Sequence, residues 1–169
     1  FIEDPLQREH YHPRIEGFRT FVFERLNADE RKAYERLHHV FYYERHNDFW
    51  RASAMEKLPA LSNATAMLPC GEDLGMVPDC VPGVMEQLQL LTLEIERMPK
   101  AFGREFADVE AYPRRSVCST GTHDMATLRG WWAEDAARSA RYFFEVLGHG
   151  GEAPADAPAW LCEEIVRRH

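Results

Sequence analysis

Near residue 60 the hydrophobic period of this chain changes, and that change limits the folds open to it. Before it, Ala33, Tyr34, Leu37 and Phe41, then Phe49 and Trp50, recur at roughly helical spacing. Asn27 followed by Glu30 reads as a capping-box start, so the pattern predicts a long helix from about 28 to 58, broken near Asn47-Asp48. Pro59 should end that helix, because proline donates no N–H and pushes its predecessor out of helical geometry. After it, short apolar runs alternate with stretches of helical spacing.

Ala66-Met67-Leu68-Pro69-Cys70 reads as a strand that leads into the loop Gly71-Glu72-Asp73-Leu74-Gly75. Val81, Val84, Met85 and Leu88 then mark one face of a helix. Leu91 to Arg97 alternates as a second strand, closed by Met98-Pro99, and Ser116-Val117-Cys118-Ser119 gives a third. Leu128, Trp131, Trp132, Ala136, Ala140, Phe143, Phe144 and Leu147 trace an amphipathic helix that Gly148 can cap. The run Gly148-His149-Gly150-Gly151 is a flexible joint, and Trp160 to Arg168 starts a further helix. Strands joined by crossovers imply an α/β class with a parallel sheet and right-handed connections. Residues 1–26, with Pro5 and Pro13 as breakers, stay unassigned.

Charge and cysteine usage narrow the class further. The net charge of −8, from 28 acidic and 20 basic residues, argues against a nucleic-acid partner, which needs clustered Lys and Arg. No window approaches the roughly 18 uninterrupted apolar residues of a membrane span. Cys70, Cys80, Cys118 and Cys162 form no C-x-x-C pair, which points to a reducing compartment, the cytosol, rather than a disulfide framework. The chain begins at Phe1 and stops at Arg167-Arg168-His169 inside an unfinished helix, so both ends read as cut.

Two clusters stand where a strand gives way to a helix: Glu72-Asp73, flanked by Gly71 and Gly75, and Thr122-His123-Asp124. That edge of a parallel sheet is where α/β folds do their chemistry. Adjacent acids there can simply cap the next helix, and Asp124 alone reads as an N-cap. Taken together, the acids of both clusters resemble the paired carboxylates that work on a glycosidic bond, one protonating the leaving oxygen and another stabilising positive charge on the sugar. Arg97, at the end of its strand, faces the same edge and serves either substrate hydroxyls or a neighbouring acid. No H-x-x-x-H or H-E-x-x-H spacing supports a metal, and His10, His12, His38, His39 and His46 read as surface or packing histidines. Trp131 and Trp132 lie on the apolar stripe of their helix and read as core rather than as sugar platforms.

The strings CGEDLGMVPDCVP, from Cys70 to Pro82, and THDMATLRGWW, from Thr122 to Trp132, resemble segments of the 4-α-glucanotransferases known as amylomaltases or disproportionating enzymes. The likeness is greatest to the subgroup that includes the plant cytosolic disproportionating enzyme and its bacterial relatives. It is supported by the strand LTLEIERMP between the motifs and by YYERHNDFWRASAMEKLPALSNAT before them, and it runs from about Tyr42 to Trp132. The resemblance implies the later strands of a (β/α)8 barrel with a long helical insertion near the N-terminus. On that reading residues 1–60 hold the irregular segment and insertion, 61–148 the partial barrel with the site, and 149–169 a linker and the start of a further helix. A complete barrel of about 250 residues does not fit in 169.

The resemblance also implies retaining transfer of α-1,4-glucan units between maltodextrins or glycans, with no cofactor. Glu72 matches the general acid/base and Asp124 the transition-state-stabilising aspartate. His123 matches a histidine that hydrogen-bonds the sugar, and Asp73 an acidic neighbour with a structural role; with Arg97, read above from its strand end, they make up the substrate-side residues. The nucleophile, an aspartate in an Arg-x-Asp-His motif, has no counterpart: Arg14-Ile15-Glu16-Gly17 is a superficial likeness with Glu for Asp and Gly for His. The chain alone is therefore expected to be inactive. A non-catalytic helical interaction module is the rival reading, and an α/β hydrolase fails for want of a nucleophile elbow.

Overall fold

A computed structural model describes all 169 residues, which divide into two compact units: Phe1–Met67 with Met76–Leu88, and Leu68–Gly75 with Gln89–His169.

The first unit opens with an antiparallel hairpin of β1 (Ile2–Glu3) and β2 (Tyr11–His12), in register Ile2 with His12 and Glu3 with Tyr11. Asp4 holds the connection by accepting the Leu6 and Gln7 N–H groups at 2.7 and 2.9 Å. A short helix α1 (Phe21–Glu24) is capped by Thr20. The expected Asn27 start is present as a complete capping box: Asn27 Oδ1 accepts from Asp29 and Glu30, and Glu30 returns a carboxyl oxygen to the Asn27 N–H at 2.9 Å. Helix α2 (Ala28–His39) passes through a wide π-helical turn, Val40–Arg45, directly into α3 (His46–Asn63).

Two expectations for this helix change. The irregularity falls at 40–45 rather than at Asn47-Asp48, and Pro59 lies inside α3 instead of ending it. Proline removes one N–H, and a single missing bond in the final turns does not stop the remaining ones from forming, so the helix runs on to Asn63. Tyr42 of the wide turn also joins an aromatic cluster, its ring centre 4.7 Å from that of His38. Phe18 meets Phe23, Tyr34 and His38 edge to face, and Phe23 meets Tyr34 likewise, with centroid separations of 4.6 Å (Phe18–His38) to 5.5 Å (Phe23–Tyr34). Three side chains of the helix bind carbonyls of the preceding loop: Tyr34 to Arg14 at 2.9 Å, His38 to Ile15 at 3.1 Å and Tyr42 to Pro13 at 2.7 Å. His38 is thus a packing residue. Helix α4 (Val81–Leu88) completes the unit with Val84 and Met85 buried, as the spacing predicts, and Asn47 accepts the Cys80 N–H at 2.8 Å.

The second unit contains the sheet. The first expected strand is reduced to one residue, Cys70, which bridges Leu91 in parallel. Next come β3 (Thr92–Glu94) and β4 (Ser116–Cys118), paired in parallel with Thr92 opposite Ser116, Leu93 opposite Val117 and Glu94 opposite Cys118. The order Cys70, β3, β4 follows the chain, and these segments do not close into a barrel. The single long helix expected from Leu128 is three pieces. Helix α5 (Leu128–Glu134) stops at Asp135, which is extended and caps α6 (Ala136–Arg141) through a bond to the Arg138 N–H at 3.0 Å; a π-helical turn, Tyr142–Val146, follows.

Helix α7 (Ala159–Arg168) then packs back, so Trp131, Trp132, Tyr142, Phe143, Ala157, Leu161 and Ile165 form one core. Each large side chain fully buried there contributes on the order of 2–3 kcal/mol. The indole N–H of Trp132 is satisfied by the Pro154 carbonyl at 2.8 Å, and Ser139 donates to the Trp132 carbonyl at 2.7 Å. Both tryptophans are core residues. Glu96 is fully buried, and its carboxyl group receives the Tyr142 hydroxyl and, at 3.1 Å, Arg168 Nη2. No helix is long and apolar enough to cross a membrane.

Candidate active site

Because Cys70, β3 and β4 run in parallel, the residues that follow each of them emerge at one edge of the sheet. The first segment delivers Gly71 to Gly75, β3 delivers Ile95 to Arg97, and β4 delivers Ser119 to Asp124. The edge expected from the sequence is therefore assembled within one unit, with Glu72, Arg97, His123 and Asp124 all on loops that leave it.

Glu72 is exposed, whereas its neighbour Asp73 is buried. Asp73 does not cap the next helix, which begins only at Val81. Its Oδ1 accepts the Leu93 N–H at 3.0 Å and its Oδ2 lies 2.7 Å from Lys100 Nζ. Both oxygens are thus used inside the protein, tying the Glu72 loop to β3. Gly75, at φ +76°, closes the turn in a left-handed conformation that a side chain would strain. Although Cys70 is exposed, partial desolvation of its sulfur, with the negative charge of Asp73, raises the thiol pKa from its ordinary value.

Asp124 is not an N-cap either. Thr127 performs that task for α5, accepting the Gly130 N–H at 3.2 Å. The loop before it is shaped by Thr122, whose hydroxyl accepts the Asp124 N–H at 3.3 Å and whose carbonyl accepts the Met125 N–H at 3.3 Å. The side chains of His123 and Asp124 are 83% and 70% exposed, and His123 Nε2 lies 3.3 Å from Asp124 Oδ1. The capping residue that the sequence pattern did not single out, Thr127, leaves the Asp124 carboxyl group available at the surface.

Arg97 is half-buried. Its Nε donates to the Thr120 carbonyl at 2.8 Å, its Nη2 to the Ala126 carbonyl at 3.1 Å, and its guanidinium carbon lies 5.2 Å from the centre of the Trp131 ring. Burial, with the nearby Arg138 charge, lowers its pKa from the ordinary arginine value. Lys100, which sequence reasoning missed, also lies 2.7 Å from Glu94 Oε1, so it joins two buried acids. Only its place three residues past the expected strand end at Arg97 hinted at it. Glu16, the partial match to a nucleophile position, belongs to the other unit; it pairs with Arg19 at 3.0 Å, just ahead of a 3-10 turn.

Residues 12–169 match the glycoside hydrolase family 77 model, described as 4-alpha-glucanotransferase. The chain is 37% identical over 168 residues to the 4-alpha-glucanotransferase DPE2 of Oryza sativa subsp. japonica, which covers 99% of the chain and 18% of that protein. It is 39% identical over 93 residues to a 4-alpha-glucanotransferase of Chlamydia muridarum and 32% identical over 99 residues to one of Chlamydia trachomatis. These cover 54% and 57% of the chain, and 18% and 19% of the bacterial proteins. No solved structure matches. The chain spans less than a fifth of the length of each of these relatives. The rice match extends the likeness well beyond the Tyr42–Trp132 stretch that carries the motifs, to nearly the whole chain. By this match over residues 12–169, joined to the two motifs on one sheet edge, the chain belongs to the 4-alpha-glucanotransferase family, glycoside hydrolase family 77.

Proposed function

We propose that this chain is the part of a 4-α-glucanotransferase barrel that carries its acid/base, Glu72, and its charge-stabilising carboxylate, Asp124. The observation that supports this most is their placement: both follow parallel segments of one sheet at the same edge, and neither is used to cap a helix. Asp73 and Thr127 do the structural work beside them.

In a retaining transfer, Glu72 protonates the glycosidic oxygen as the C1–O bond breaks, and a carboxylate outside this chain bonds to C1. Asp124 stabilises the oxocarbenium-like charge between those states, and His123 hydrogen-bonds the sugar. The Glu72 carboxylate then takes the proton of the incoming hydroxyl of an acceptor glucan, which attacks C1 and releases the enzyme carboxylate. The substrates are α-1,4-glucans or maltooligosaccharides and the setting is cytosolic. The helical-module alternative gains nothing from a family match that runs over residues 12–169.

Disproportionation of maltotriose by the complete enzyme tests this. Glu72→Gln and Asp124→Asn should each lower kcat by about 10²–10⁴-fold, with the thermal transition unchanged. Full activity in either variant would overturn the assignment. Turnover by the 169-residue chain alone that disappears in Glu72→Gln would instead place the nucleophile inside it.

A further inference from the structure

The two carbonyls that Arg97 binds, those of Thr120 and Ala126, bracket the loop that holds Gly121, Thr122, His123, Asp124 and Met125. A guanidinium is a rigid planar fork, so one side chain can hold two carbonyls at a set separation, which the single ammonium of lysine cannot reproduce. The fork is itself restrained on one side by the Trp131 ring, which is buried in the core of the unit. On another side it runs past Gly121: a Cβ there would meet Nη2 at 2.5 Å and Cζ at 3.7 Å. Glycine at 121 is needed for that approach, not for its backbone angle, because no positive φ occurs there.

From this geometry we propose that Arg97 and Gly121 form a positioning clamp for the His123-Asp124 loop, and that the guanidinium acts through the loop instead of touching the glucan. The proposal rests on the catalytic role of Asp124 given above. Arg97 is then a positioning residue. Its two hydrogen bonds reach across 23 and 29 residues of chain, from the loop after β3 to the two flanks of the loop that follows β4. Gly121 leaves the passage open. A displacement of about 1 Å in a catalytic group can cost on the order of 10²-fold in rate, so losing either member should lower kcat far more than it raises KM.

The test is steady-state kinetics of maltotriose disproportionation by the complete enzyme carrying Arg97→Lys, Gly121→Ala or both, with thermal melts and hydrogen exchange at the Asp124 and Met125 amides. Each single variant should lower kcat by about 10–100-fold with KM changed less than about threefold, and should speed exchange at both amides. The double variant should be no worse than the poorer single one, because the alanine has no guanidinium left to displace. A tenfold or greater rise in KM in Arg97→Lys, with kcat kept and Gly121→Ala behaving as wild type, would overturn the clamp in favour of direct sugar contact. Should Arg97→Lys fail to fold, Gly121→Ala decides alone, since unchanged kcat and unchanged exchange there would also overturn it. Full activity of Asp124→Asn alongside impaired clamp variants would mark failure of the catalytic assignment, not of the clamp's hold on the loop.

Discussion

Lys100 Nζ lies 2.7 Å from Asp73 Oδ2, with Glu94 Oε1 at the same distance on another side. The ammonium group thereby joins two acids whose side chains are only 6% and 10% exposed. Removing it leaves two buried carboxyl groups facing each other without a cation. Lys100→Met should destabilise the protein by about 2–4 kcal/mol, towards the low end because Lys100 itself is partly exposed. A urea titration should show a lower midpoint at constant m.

Tyr142, fully buried, donates its hydroxyl to Glu96, and burial together with that bond pushes its pKa well above the ordinary phenol value. An unfolded tyrosine ionises near pH 10, so above that pH the unfolded state binds fewer protons than the folded one and stability falls. The contribution of Tyr142 is complete below about pH 10 and is lost as pH climbs from there towards the folded-state pKa, by up to about 1.4 kcal/mol per pH unit. Tyr142→Phe should cost about 1–3 kcal/mol at neutral pH, since Glu96 loses a donor. Its stability should also fall less steeply between pH 10 and about 11, as followed by circular dichroism.

The N-cap of α5 separates two roles that the sequence pattern left joined. Thr127→Ala should lower stability by about 1 kcal/mol, whereas Asp124→Ala, which removes no cap, should leave the thermal transition in place. Differential scanning calorimetry on the pair distinguishes them. Equal losses would mean that Asp124 also supports the helix.

Leu161 has no exposed surface and belongs to the core with Trp132 and Tyr142. Leu161→Ala should destabilise by about 3 kcal/mol. Trp160→Ala, at a half-exposed neighbouring position, should cost less than half as much. That contrast is the outcome expected of an α7 that is part of the folded unit rather than an appendage.

Several features were legible because their causes are local. Asn27 and Glu30 lie one turn apart, so their reciprocal bonds depend on almost nothing else. The face of Val84 and Met85 follows directly from helical spacing. The strand around Leu93 and the strand around Val117 were readable from short apolar runs, although each came out a residue or more shorter, because pairing depends on the partner's length as well as on side chains. Pro59 misled because a local rule met a helix whose remaining bonds were sufficient without it.

The site divides along the same line. The order of residues by itself determined that acids and a histidine would follow parallel strands: apolar alternation, Gly and Pro act over a few residues, and parallel pairing sends every following loop to one edge. It could not say what each acid would do there. Asp73 is held by Leu93 and Lys100, 20 and 27 residues away, and Arg97 by carbonyls 23 and 29 residues away. Only the tertiary structure decided those partners, because a hydrogen bond is set by distance in space and the same side chain, left unpaired, would be a ligand rather than a strut.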